Sequence, residues 1–205
     1  MTITVPEAGK YIYFEDSAVE TALLAAGISS DGVGITQTDA ANAVLTSTTF
    51  RGNTDITKFN EFKYFTIANT DPPLHLFRDC TNLEEIDLSN CTKVVQGEFY
   101  GCSSLTIDSS QLSNLTTFTT NTSGAFTNVH FKDGIFKAPI TNNLRYNTFD
   151  GALGLTTIDL SEGHVTGIAD TMQMGNAVNK VTLWKFPKNY FTQMNAYILS
   201  NSGYQ

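Results

Sequence analysis

The chain has 205 residues, 41% hydrophobic and only 16% charged, with a formal net charge of −8 from 20 acidic and 12 basic side chains. That length suits one large domain or a repeat array with a small appendage, and the apolar content is that of a chain that folds. The acidic balance and the lack of any basic run exclude a nucleic-acid surface, which needs clustered Lys and Arg against phosphate.

No apolar run approaches the ~18 residues of a membrane span, so no membrane insertion is expected. The N-terminus, MTITVPEAGKYIYFED, lacks the basic and apolar regions of an export signal, so the chain is expected not to be exported by itself. With so few charges, Thr, Asn and Ser must supply much of the polar surface. These side chains compete with helical hydrogen bonds and favour strands and tight turns.

In chain order, Tyr11-Ile12-Tyr13-Phe14 reads as a strand, and Ser17 as the cap of a helix over residues 18–26 closed by Gly27. A second short helix is expected over 38–45, with Asp39 near its start. Between them, Ser29-Ser-Asp-Gly-Val-Gly-Ile-Thr-Gln-Thr-Asp39 resembles a degenerate EF-hand or dockerin loop. A competent loop needs oxygen ligands at positions 1, 3 and 5, glycine at 6 and a bidentate acid at 12. With Gly34 at position 6, Asp31 falls at 3, but Val33 sits at 5 and Ala40 at 12. A helix–loop–helix scaffold without calcium is the better reading. Phe59, Phe62, Tyr64 and Phe65 then form an aromatic lead-in, and residues 1–69 together read as an N-terminal α+β cap region.

From residue 70 the chain repeats itself. Phe77, Cys80, Leu83, Ile86 and Leu88 recur in phase as Phe99, Cys102, Leu105 and Ile107, and as Phe149, Leu155, Ile158 and Leu160. A weaker copy runs from Met172 through Val178, Val181 and Leu183. The lead residues lie 22, 50 and 23 residues apart, and the long gap holds a degenerate unit from Phe126 through Val129 to Phe131. Each unit is too small to bury its own apolar side, so neighbours must stack. The Ile-x-Leu pair alternates like a short strand, sending Ile86 and Leu88 inward and Asp87 outward. One inward row of Ile86, Ile107, Ile158 and Val181 is expected beside a parallel row of Leu83, Leu105, Leu155 and Val178. Cys80 and Cys102 share a slot, which reads as packing, and the three cysteines offer no metal spacing.

The pattern F-x-x-C-x-x-L-x-x-I-x-L resembles the BspA-like class of leucine-rich repeats, common in proteins of gut Bacteroides and their viruses. The resemblance covers about residues 70–190. It implies an α+β, β-rich solenoid of short stacked strands with a small N-terminal helical cap. It also implies a non-catalytic structural or binding module with protein partners: a phage virion component, as a tail or capsid appendage that attaches to a host surface, or a bacterial cell-surface adhesin module binding proteins or glycans. The lack of an export signal favours the virion, assembled in the host cytoplasm.

No GxSxG, HExxH, Walker A or dinucleotide fingerprint occurs, His75, His130 and His164 are isolated, and adjacent Glu84 and Glu85 point to opposite strand faces. No enzyme activity and no catalytic, cofactor or metal site is therefore expected. The glycosylation-like triplets at Asn90, Asn114 and Asn121 read as chance. Residues 191–205 form a C-terminal cap or assembly tail. Within it Phe191 and Tyr197 are the candidate surface for a homo-oligomer or for other virion proteins, and Trp184 just before it is expected to be buried.

Overall fold

The computed structural model describes residues 9–118, 124–141, 148–164, 182–186 and 189. It combines small helices with short strands in small parallel sheets. The N-terminal part holds α1 (Ser17–Ala25) and α2 (Gln37–Asn42). Asp16, not Ser17, caps α1: one carboxylate oxygen accepts the Ala18 N–H at 2.9 Å. Its other oxygen accepts Thr57 N–H at 2.7 Å, the Thr57 hydroxyl at 2.9 Å and Lys58 N–H at 3.1 Å, tying the helix to the first strand. Burial opposes ionisation of Asp16, but these hydrogen bonds outweigh it and hold the carboxyl below its ordinary range.

The second helix begins one residue earlier than expected, and Thr36 and Asp39 close a reciprocal capping box at its start. Residues 11–14 form no strand, and Ile12 N–H donates to Ile35 O at 2.8 Å. In the EF-hand-like loop, the Asp31 carboxylate is taken by Lys10 Nζ at 2.7 Å and the Tyr11 hydroxyl at 2.6 Å.

The strands are β1 (Lys58–Phe59), β2 (Glu85–Ile86), β3 (Lys93–Val94), β4 (Thr106–Ile107), β5 (Thr117–Phe118), β6 (His130–Phe131), β7 (Ile135–Lys137), β8 (Thr157–Asp159) and β9 (Leu183–Lys185). They pair as β1–β2, β3–β5, β4–β6 and β7–β8–β9, every pair parallel. Parallel pairing between segments this close in sequence requires each segment to travel round and return beside its predecessor.

Two-residue strands contribute little by themselves, and side chains fix their register. Phe50, Phe77, Phe99, Phe126 and Phe149 form one column. Successive ring centroids are 5.4, 5.5, 6.1 and 5.8 Å apart, and the rings lie within 9°, 2°, 6° and 12° of parallel. Offset stacking at this range adds about 0.5–1.5 kcal/mol per pair beyond the area buried. Leu83, Leu105, Leu155, Ile86, Ile107, Ile158, Leu88 and Leu160 are all buried beside it, while Phe149 is half-buried at the end of the described column.

The column starts earlier than the sequence reading placed it. Phe50-Arg-Gly-Asn53-Thr-Asp-Ile56-Thr-Lys-Phe59 has the phase of a full unit, with Asn53 in the cysteine slot, Ile56 for leucine and Phe59 for isoleucine; Phe59 stands opposite Ile86. The boundary drawn at residue 69 therefore cuts through stacked structure.

A second regularity lies two residues after each ring. Gly52, Asp79, Gly101, Asn128 and Gly151 all adopt left-handed backbone, with φ of 73°, 63°, 80°, 67° and 72°. The slot takes Gly, Asp or Asn because larger or branched side chains are strained there. The turn aims the N–H along the stack: Gly52 N–H donates to Arg78 O at 2.8 Å, Asp79 N–H to Tyr100 O at 2.7 Å and Gly101 N–H to Thr127 O at 2.9 Å. The Cys80 thiol donates to Phe50 O at 3.0 Å and the Cys102 thiol to Phe77 O at 2.9 Å. Burial pushes the Cys80 thiol up to about 11 and raises Cys102 as well, so both stay protonated donors. Cys91 occupies a different slot and donates to Lys93 O.

Polar clamps repeat at the same step. Thr92 N–H donates to Asn69 O at 2.9 Å, Thr116 N–H to Thr92 O at 3.1 Å and Thr141 N–H to Thr116 O at 2.8 Å. Asn90 Nδ2 donates to Lys63 O at 2.9 Å and Asn114 Nδ2 to Ser89 O at 2.7 Å, which accounts for two of the glycosylation-like triplets structurally.

The weak fourth copy is out of phase with its expected role. Trp184, not Val181, stands opposite Ile158, and Leu183, expected in the core, pairs with Thr157 and is 46% exposed. The backbone sets this register: Thr182 N–H and Leu183 N–H both reach Thr156 O, and Leu160 N–H reaches Lys185 O at 2.8 Å. Met172, Val178 and Val181 lie outside the described residues.

Phe99→Ala is expected to cost about 3–5 kcal/mol in urea unfolding, and Phe149→Ala less, because Phe99 is enclosed between two rings and Phe149 is only half-buried. Glu98 supplies a pH test. It is fully buried, Oε2 accepts Val95 N–H at 3.1 Å, and Oε1 has no partner. Burial pushes its carboxyl from 4.5 to about 8. A raised folded value means that its contribution is complete below the unfolded value and is lost as pH climbs towards about 8. Stability should fall between pH ~5 and ~8 by up to about 1.4 kcal/mol per pH unit, and Glu98→Gln should flatten that slope. Urea midpoints across this range check it; an unchanged slope in the variant would refute the assignment.

Candidate binding groove

Most groups that carry chemistry are committed to the stack. Lys58–Glu85, Lys63–Asp87, Lys93–Asp71, Lys132–Asp108, Lys137–Glu162 and Lys185–Asp159 are ion pairs at 2.5–3.5 Å, each joining one segment to the next. Of the histidines, His75 adopts left-handed backbone at φ 63°, His130 is an exposed member of β6, and His164 N–H donates to Ile140 O. Among the described residues no group of three or more His, Cys, Asp and Glu side chains is placed to hold a metal, and no helix is long and apolar enough to cross a membrane. The expected core residues Phe77, Leu83, Ile86, Leu88, Phe99, Leu105, Ile107, Leu155, Ile158 and Leu160 all lie within one hydrophobic core and form no surface site. Phe191 and Tyr197 fall outside the described residues.

The site comes from a break in the pattern. The unit led by Phe126 passes from Val129 straight into β6, which pairs back onto β4. Lys132-Asp133-Gly134 then makes a one-turn 3-10 helix with two consecutive left-handed residues, Asp133 at φ 55° and Gly134 at φ 67°. The chain emerges as β7, which pairs forward onto β8. The two strands of this segment are separated by only three residues, and among the described residues no strand pairs with β7 on the side away from β8. A 3-10 helix, Ser109–Leu112, fills that place. The Ser109 hydroxyl donates to Ile135 O at 2.5 Å and accepts Lys137 N–H at 3.0 Å, doing with a side chain what strand backbone does elsewhere.

A groove of about 410 Å³ stays open between the 3-10 helix and β7. Asp108 and Lys132, 2.7 Å apart, close one end, and Lys137 and Glu162, also 2.7 Å apart, the other. Hydrogen bonds from Lys132 and from Ser110 hold the Asp108 carboxyl down at about 2, and its partner Lys132 is shifted up, so the pair stays ionised across the physiological range. Ile135, 37% exposed, and the half-buried Pro139 give the wall an apolar strip, with Ala138 buried behind it.

The sequence reading placed no site here. The Asp133-Gly134 dipeptide between two apolar runs was the available signal, since Asp-Gly marks a turn inserted into a repeat. Comparison of the chain with protein-family models, with curated proteins and with solved structures returns no match.

Gly134 is the residue on which the break turns. A Cβ there would stand 2.7 Å from Gly154 O, in a backbone conformation that L side chains avoid. Gly134→Ala should therefore destabilise by more than the ~1–2 kcal/mol of the conformation alone. Gly154→Ala, at φ 66° with nothing within 4 Å, should cost only that much. Thermal unfolding of the two variants checks the difference; equal losses would show that the break tolerates a side chain.

Proposed function

We propose that this protein is a non-catalytic binding and structural module, a solenoid of the BspA-like leucine-rich-repeat kind, which presents the groove beside β7 to a partner. The observation that carries the reading is the column from Phe50 to Phe149, with the Cys80 and Cys102 thiols, Asn90, Asn114 and six lysine–carboxylate pairs joining one segment to the next. A stack of this kind supplies a rigid surface, and a local irregularity in it is where a ligand finds concave contact. Its setting, in this reading, is a phage particle, as a tail or capsid appendage facing the host surface.

Two measurements test it. Mass spectrometry of purified particles should find peptides of this chain at the level of a structural component; their absence would overturn the particle assignment. Hydrogen exchange of the full chain, alone and with isolated host envelope, should slow over residues 132–138 in the mixture. Unchanged exchange there would overturn the groove as the binding site.

A further inference from the structure

We infer that the groove beside β7 takes an uncharged, hydroxyl-rich ligand, a neutral saccharide of one to three units; this rests on the groove being the binding site. The argument begins with charge. The lining carries two lysines, Lys132 and Lys137, against three carboxylates, Asp108, Asp133 and Glu162. Both ammonium groups already sit 2.7 Å from a carboxylate. A phosphate, sulfate or uronate entering the groove meets no unpaired cation and a net negative wall, and would have to separate an existing pair to bind.

The same pairs suit a hydroxyl. An ammonium has three donors and each lysine spends one on its carboxylate, while a carboxylate has about four acceptor positions. Each end of the groove therefore offers a donor and an acceptor side by side, and a sugar hydroxyl, which donates and accepts at once, satisfies both without disturbing the pair. Vicinal hydroxyls reproduce that arrangement twice. The exposed Ser110 and Ser113 add further hydroxyls along the helix side. On the opposite wall the exposed Ile135 and the half-buried Pro139 form a small apolar strip against which the C–H face of a pyranose packs. The volume, about 410 Å³, lies at the small end of ligand sites and matches a short saccharide better than a long peptide.

The test is calorimetric titration of the full chain against a set of neutral mono- to trisaccharides, an oligogalacturonate and an oligolysine peptide, at about 0.05 M and about 0.5 M salt. A neutral saccharide is expected to bind with an affinity that changes less than about 2-fold with salt, because no net charge is screened. Ser113→Trp, which fills the groove from an exposed position outside the ion pairs and the core, should weaken that binding at least about 10-fold with an unchanged melting temperature. Binding of only the galacturonate or the oligolysine, falling with salt and abolished by Ser113→Trp, would overturn the saccharide assignment and leave the groove as a binding site. Saccharide binding that Ser113→Trp leaves intact would overturn this inference by placing the sugar elsewhere. Failure of every neutral saccharide to bind would also overturn it, and protection of residues 132–138 by host envelope would then show whether the groove itself survives as a site.

Discussion

The face-to-face contact of one phenylalanine with the phenylalanine of the next segment is the interaction on which the rest depends. Parallel strands sit about 4.8 Å apart, and rings held at that rise cannot lie directly over each other at centroid distances of 5.4–6.1 Å unless they are offset sideways. Strand spacing and ring geometry therefore agree only when each segment repeats the backbone of its neighbour. The left-handed slot two residues after each ring enforces that repetition, turning the chain so that its next N–H meets the following segment. With strands of two or three residues, pairing alone would let the register slip by one and exchange buried for exposed faces.

The polar residues follow the same translation. A threonine ladder, an asparagine clamp and six lysine–carboxylate pairs each reach one segment along. Exposed ion pairs of this kind are individually weak, about 0–1 kcal/mol, so their value lies in specifying which segment neighbours which. That use also explains how a chain with 16% charged residues keeps an ordered surface: Thr and Asn supply directional bonds without the desolvation that buried charge would cost. Glu98 departs from this economy, a buried carboxyl with one oxygen unsatisfied.

What the sequence made legible was set by how closely each unit kept the consensus. The segments from Phe77, Phe99 and Phe149 announce themselves because ring, cysteine or alanine, and leucine recur in phase. The segment from Phe50 carries the same backbone, but Asn53 and Phe59 replace the two most recognisable residues, and pattern matching passes over it. Beyond Ile158 the reverse happens. Val181-Thr-Leu183 matches the pattern, yet hydrogen bonds to Thr156 set the phase so that Trp184 is the register partner of Ile158. The groove was illegible for a further reason: no residue in it is chemically unusual, and it lies where a 3-10 helix rather than a strand stands beside β7. Each of the first two helices begins one residue earlier than its pattern suggests, because the capping oxygen belongs to Asp16 in one and Thr36 in the other.

The Lys132-Asp133-Gly134 break also bears on how such a chain changes length. Because every clamp reaches one segment along, adding or losing a whole segment leaves all remaining contacts in phase. A shift of one or two residues does not, and must be absorbed locally before the next ring is reached. Here the shorter path from Cys102 to β4 and the direct passage from Val129 to β6 are followed by an inserted turn ahead of β7, and Phe149 rejoins the column within 12° of parallel. The mismatch surfaces as a concavity while the core stays filled. New recesses in such an array can therefore arise by small insertions and deletions, with the ring column acting as the error-correcting element that confines each one to a single storey.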